Sequence, residues 1–182
     1  MQNKIRCDWA LSSESMTAYH DSEWGVPVHD DRLLFEMLNL EGAQAGLSWQ
    51  TILSRRDNYR IAFDNFNAKR IANYGDTERK SLLLNAGIIR NRLKINAVIE
   101  NSRALLAIQQ KYGSFDTYLW KLVDNSPLVL PDKEMATQLS KEVSNDLKKH
   151  GFRFAGPTTC YAFMQSVGMV NDHTPECFCY GR

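Results

Sequence analysis

Nowhere does this chain hold an apolar run long enough to cross a bilayer, and its first residues, Met1-Gln2-Asn3-Lys4-Ile5-Arg6-Cys7-Asp8, are polar and lead into no hydrophobic segment. The sequence therefore reads as having no membrane span and no secretory leader. A dominant charge sign is missing too: 22 Lys and Arg stand against 21 Asp and Glu, which excludes a uniformly basic protein but not local patches. Strict polar/apolar alternation is scarce, and no repeat or low-complexity stretch is present, so sheet-rich and solenoid architectures are disfavoured. Cysteine is sparse, four in 182 residues, with no disulfide-like spacing. Reduced thiols in the cytoplasm are the expectation.

What is present is helical periodicity. Asp30 and Asp31 are placed to cap a helix whose inner face carries Leu33, Leu34, Met37 and Leu38 and which runs out at Glu41-Gly42. A second helix is predicted over Leu47 to Phe63, and short ones after Asn67 and Asp76. From Leu82 to Ile108 the pattern reads helix, sharp turn, helix, with Gly87 in the turn as the residue that accepts positive φ. Ser114 is placed to cap a helix burying Phe115, Tyr118, Leu119 and Leu122. Pro127 and Pro131 bracket an irregular connection. A helix from about Thr137 to Lys149 follows, and Pro157 opens the last one, which ends near Gly168.

The few cysteines are unevenly placed. Cys7 and His20 lie near one end, His173, Cys177 and Cys179 near the other. Two thiolates and two imidazoles make a tetrahedral zinc site, and such a site here would tie the termini together. Buried apolar thiols without a metal are the competing reading.

Charge also clusters. From Arg79 to Arg103, six basic residues (Arg79, Lys80, Arg90, Arg92, Lys94 and Arg103) accompany one acidic residue, Glu100, a local net charge of +5. The amides of Gly87, Ile88 and Ile89, before a helix start, could bind phosphate without reading sequence. A solvated helix face is the alternative. Polar and aromatic groups crowd Tyr19-His20-Asp21-Ser22-Glu23-Trp24-Gly25 and Glu41 through Trp49. If Glu41 is buried among rings, carboxylate and π-faces together suit a planar cation; if exposed, it is an ordinary surface group.

Four segments carry a resemblance: Tyr19 to Pro27, Leu40 to Trp49, Ala86 to Ile95 and Val170 to His173. Across about Cys7 to Tyr180 the sequence closely resembles the Tag-type 3-methyladenine DNA glycosylases of the helix-hairpin-helix superfamily. The resemblance implies an all-α fold with its hairpin at 82–95, a helical core over 30–125, and a terminal lobe of 1–29 plus 126–182 tethered by a structural zinc ion. It implies Cys7, His20, His173 and Cys177 as ligands, with Cys179 outside the set and Cys160 in the core. It gives Glu41 the catalytic role, with Tyr19 and Trp49 beside it around the base, and assigns Gly87, Ile88, Ile89, Arg90, Arg92 and Lys94 to the DNA backbone. The implied activity is hydrolytic release of 3-methyladenine from double-stranded DNA by a monomeric, monofunctional enzyme without lyase activity.

Overall fold

Polar caps start most of the helices. In the computed structural model, which describes residues 4–129 and 133–181, the Ser13 hydroxyl accepts from the Met16 amide and opens α1 (Glu14–Ser22). Asp30 opens α2 (Asp31–Gln44) by accepting from the Leu33 amide at 2.8 Å. Asp31 has a different task. Its carboxylate accepts from the amides of Phe115 and Asp116, both at 2.8 Å, and so caps a helix far along the chain.

α2 does not stop at Glu41-Gly42 but continues to Gln44. Gly42 stays helical because this turn runs close against Phe154: a Cβ on Gly42 would sit 3.1 Å from the Phe154 Cβ. Lys94 then closes the helix, its Nζ donating to the carbonyls of Ala43 at 2.8 Å and Ala45 at 2.7 Å. The extension puts Glu41 in a buried final turn rather than at an exposed end.

The single helix expected over Leu47 to Phe63 is two, α3 (Trp49–Leu53) and α4 (Arg56–Ala62), parted at Ser54-Arg55. The break lets α4 aim Arg56 and Arg60 at Glu36 of α2, which is fully buried. Arg56 Nε lies 2.6 Å and Arg60 Nη2 2.8 Å from Glu36 Oε1, and Arg32 adds a contact at 3.2 Å. Arg56 also reaches Glu23. Burial alone would raise the Glu36 pKa, but the hydrogen bonds from Arg60 and Arg56 more than offset it and leave the group below the usual carboxylate range.

Asn67 caps α5 (Ala68–Ile71) as expected. Asp76, expected as a cap, is the first residue inside α6 (Asp76–Leu84); Gly75 precedes it, its amide bonded to Glu78 Oε2 at 2.7 Å. α7 (Arg92–Tyr112) is capped by Asn91 and α8 (Phe115–Trp120) by Ser114. α9 (Lys133–Lys149) starts a turn before Thr137, and Pro157 is the first residue of α10 (Pro157–Ser166). Pro131 lies outside the described residues. The all-α expectation needs one amendment: β1 (Leu128–Val129) pairs in parallel with β2 (Val170–Asn171).

α2 runs through the centre, in contact with α3, α7, α8 and α10. Leu34, Phe35, Leu38 and Leu40 on it are buried with Phe63, Phe66, Phe115 and Phe163 from its neighbours. Beyond α10, Gly168 has a φ of +71°, and a Cβ there would fall 2.4 Å from Pro27 N. Gly168→Ala is expected to cost more than about 2 kcal/mol, read as a lowered urea midpoint with unchanged slope.

Candidate functional site

Three helices bring Glu41, Tyr19 and Trp49 to one cavity of about 640 Å³. α1 supplies Tyr19, the last turn of α2 supplies Glu41, and the first residue of α3 supplies Trp49 after the Gly46 turn. The Tyr19 and Trp49 ring centroids are 5.3 Å apart at 46°, and Trp9 stands 6.4 Å from Tyr19. Among the lining residues given no role from the sequence are Trp9, Gln165 and Asp172. The density of tryptophan near the amino end was the available signal for Trp9; no spacing rule reaches from residue 9 to residue 172.

The electrostatics of the lining are one-sided. Asp8, Glu41 and Asp172 line the cavity, with Trp9, Tyr19, Trp24 and Trp49, and among the described residues no Lys or Arg does. Glu41 is only 5% exposed. Burial pushes its pKa up to about 8, with a smaller opposing effect from the Ser166 hydroxyl. The Tyr19 phenol is pushed well above its ordinary value by burial and then by the Glu41 and Glu23 carboxylates, so it stays a hydrogen-bond donor. Among the described residues, neither the buried Tyr19 hydroxyl nor the buried Trp49 Nε1 has a hydrogen-bond partner. Aromatic faces, carboxylates and free donors in one cavity can hold a planar, cationic heterocycle.

Next to this cavity the two ends of the chain meet. The donor atoms of His20, His173, Cys177 and Cys179 all lie within 4.8 Å of one another, and all four residues are buried. Cys7 is buried as well and packs against Cys177 and Cys179, its Sγ 3.9 Å from the Thr174 hydroxyl. The set expected from the sequence had Cys7 and left out Cys179; the structure gathers all five and puts Cys179 in the tighter group. These residues fit a zinc ion. His20 Nδ1 sits 2.9 Å from Asp21 Oδ1 and His173 Nδ1 2.8 Å from Asn171 Oδ1, so each Nδ1 donates and each Nε2 presents its lone pair. The Cys177 thiol is 3.4 Å from His20 Nε2. Gly25, at a φ of +77°, gives His173 its room: a Cβ there would come within 2.7 Å of the imidazole.

A model of the family described as methyladenine glycosylase matches residues 9–180. The chain belongs to that family. It is 45% identical over 180 residues to DNA-3-methyladenine glycosylase 1 of Escherichia coli, with 96% of both chains covered. To the DNA-3-methyladenine glycosylase of Haemophilus influenzae it is 44% identical over 179 residues, covering 96% of this chain and 97% of the other. A crystal structure of 3-methyladenine DNA glycosylase I superimposes with a TM-score of 0.90 at 48% identity, covering 97% of this chain and 100% of that one. A Staphylococcus aureus structure, described as the structural basis of 3-methyladenine recognition, gives 0.87 at 31% identity, with 94% of each covered.

In the basic turn the three amides expected to face phosphate have partners within the protein. The Gly87 amide donates to Asn85 Oδ1 at 2.8 Å, Ile88 to the Asn85 carbonyl at 3.4 Å, and Ile89 to the Tyr59 hydroxyl at 3.2 Å. All three donors are engaged within the protein. Ile88 is buried and Lys94 holds the end of α2, whereas Arg90 and Arg92 are exposed. Gly87 is required for closeness rather than for positive φ, since a Cβ there would meet Asn58 at 3.1 Å.

The raised Glu41 pKa has a signed consequence. The folded state binds this proton more tightly than the unfolded chain, so its stabilising effect is complete below about pH 4.5 and is lost as pH rises to about 8. Glu41→Gln, which cannot ionise, should therefore match the parent at pH 4 and be more stable by a few kcal/mol at pH 9, because each tenfold difference in proton affinity between folded and unfolded chain is worth about 1.4 kcal/mol. Urea denaturation across that range measures the gap; a constant difference would contradict the assignment.

Proposed function

We propose that the protein hydrolyses the N-glycosidic bond of 3-methyladenine in alkylated double-stranded DNA, releasing the base and leaving an abasic site. The observation that carries this reading is the buried Glu41 carboxyl in one cavity with Tyr19 and Trp49, lined among the described residues by three acids and by no lysine or arginine. The names of the relatives, DNA-3-methyladenine glycosylases at 45% and 44% identity, point to the same substrate.

Adenine alkylated at N3 in DNA carries a fixed positive charge. Extruding it costs a few kcal/mol, offset by stacking in the cavity and by attraction to its carboxylates. Arrival of the cation favours ionised Glu41, so binding is coupled to loss of the proton that burial holds there. Tyr19 Oη and Trp49 Nε1 supply donors for ring acceptors, and their faces supply stacking. The leaving base departs neutral, which is why a carboxylate and aromatic walls suffice where a neutral purine would need a strong acid. A monofunctional enzyme without lyase activity is part of this reading. Arg90 and Arg92, with Lys80 of the same basic segment, are exposed cations that can face phosphates. The working form in this reading is a cytoplasmic monomer.

The terminal cluster belongs to the same reading as a structural zinc site, with His20, His173 and Cys177 as ligands and Cys7 or Cys179 as the fourth. Bound there, zinc would crosslink the two ends of the chain, with four protein donors leaving no position for water. Metal analysis should find one zinc per chain, and chelation should lower the melting temperature reversibly; a metal-free protein of unchanged stability would contradict the site.

Incubation with methylated duplex DNA and chromatography of the released bases tests the activity: 3-methyladenine should dominate, and release of none would overturn the reading. Glu41→Ala should slow excision by about 100-fold or more while leaving nonspecific DNA affinity within a few-fold. With the parent enzyme, kcat/KM should fall up to about tenfold for each pH unit below 8. Glu41→Gln should abolish that dependence.

A further inference from the structure

Lys94 is a cation of the basic segment whose charge is directed inward. It stands in the first turn of α7, two residues past the exposed Arg92. Its Nζ donates to the carbonyl of Ala43 at 2.8 Å and to that of Ala45 at 2.7 Å. Carbonyls at the end of a helix have no amide of their own helix to bond, and the helix dipole favours a cation there. Holding the ammonium partly out of water lowers the Lys94 pKa from its ordinary value.

What Lys94 grips is the stretch that builds the cavity. Glu41 lies two residues before Ala43, and Gln44, between the two bound carbonyls, lines the cavity. After Ala45 the chain turns at Gly46, with a φ of +79°, and Ser48 caps the helix that begins with Trp49. Ala45 through Ser48 are exposed, so packing does little to hold this turn. Among the described residues, the bonds from Lys94 are the hydrogen bonds that join it to another element. The basic turn is tied on its other side too: Arg55 Nη1 donates to the Ala86 carbonyl at 2.9 Å, and the Ile89 amide to the Tyr59 hydroxyl at 3.2 Å. The segment carrying Arg90 and Arg92 is therefore bonded to α4, after Trp49 in the chain, and through Lys94 to the turn before it.

We propose that Lys94 is a positioning residue for base excision, coupling the phosphate-facing turn to the base cavity by fixing the chain between Glu41 and Trp49. Phosphates held by Arg90 and Arg92 locate the start of α7 on the duplex, and Lys94 passes that placement to the carboxyl and the ring. In this role Lys94 touches neither the base nor the sugar, and its ammonium serves the protein rather than a phosphate. A neutral side chain at this position releases both carbonyls and lets the turn shift. A misplacement of about 1 Å between a catalytic group and its substrate can cost about 100-fold in rate.

The inference rests on the excision activity proposed above, and the two fail differently. If the parent protein releases no base from methylated duplex DNA, both fall. If the parent is active and Lys94→Met excises within about threefold of it, only the positioning role falls. The expected result for Lys94→Met is a single-turnover rate about 30-fold lower at saturating protein, with affinity for unmodified duplex within about threefold of the parent. The slope of log affinity against log salt should equal the parent's, whereas loss of a phosphate contact in Arg92→Ala should make it shallower by about 0.9. A shallower slope in Lys94→Met would make the residue a phosphate ligand and overturn the proposal. So would a lowered melting temperature with the parent rate retained at temperatures well below it, the mark of a purely stabilising role. Lys94→Arg keeps donors for both carbonyls and should recover most of the rate; a rate no better than that of Lys94→Met would also overturn the proposal. Should Lys94→Met fail to fold, Lys94→Gln takes its place, a shorter neutral arm expected to lose about tenfold in rate, and the parent rate in that variant would refute the assignment.

Discussion

Two glutamates on one helix, buried five residues apart, meet opposite electrostatic fates, and the site depends on that difference. Glu36 is enclosed by Arg32, Arg56 and Arg60 and held as a carboxylate. Glu41, one and a half turns further on, has no cation beside it and is held as an acid until one arrives. The first fixes α4 to α2. The second converts the end of α2 into a receptor for positive charge. Burial of α2 is common to both, and what differs is whether the protein provides the counter-ion.

Much of the helical order was legible because caps and apolar spacing are local signals. Asp30, Asn67, Ser114 and Pro157 each open the helix expected of them. The misreadings share one cause. Gly42 looked like a stop and Asp31 like a cap of its own helix. Each is explained by a partner distant in sequence, Phe154 and Phe115. Glycine required for close approach and glycine required for positive φ look the same in a sequence, as Gly87 shows.

The pocket was partly readable. Tyr19, Glu41 and Trp49 could be named because their segments are dense in aromatic and acidic groups and resemble a known family, but their convergence is a tertiary fact. Trp9 lay outside those segments, and Asp172 lay in one of them, Val170 to His173, without being given a role. The cysteines and histidines were visible as a terminal concentration, yet composition could not rank Cys7 against Cys179, since both thiols end up buried in one cluster.

The cavity wall draws on residues from Cys7 at one end to Thr174 at the other. While a ribosome is still extending the last helix, β2 and the histidine-cysteine segment are not yet made, and the receptor for positive charge has no back wall. A product truncated ahead of Val170 is a helical fragment without Asp172, Thr174 or the carboxyl-terminal half of the cluster. The receptor for positive charge is thus completed by the last segment of the chain to be synthesised.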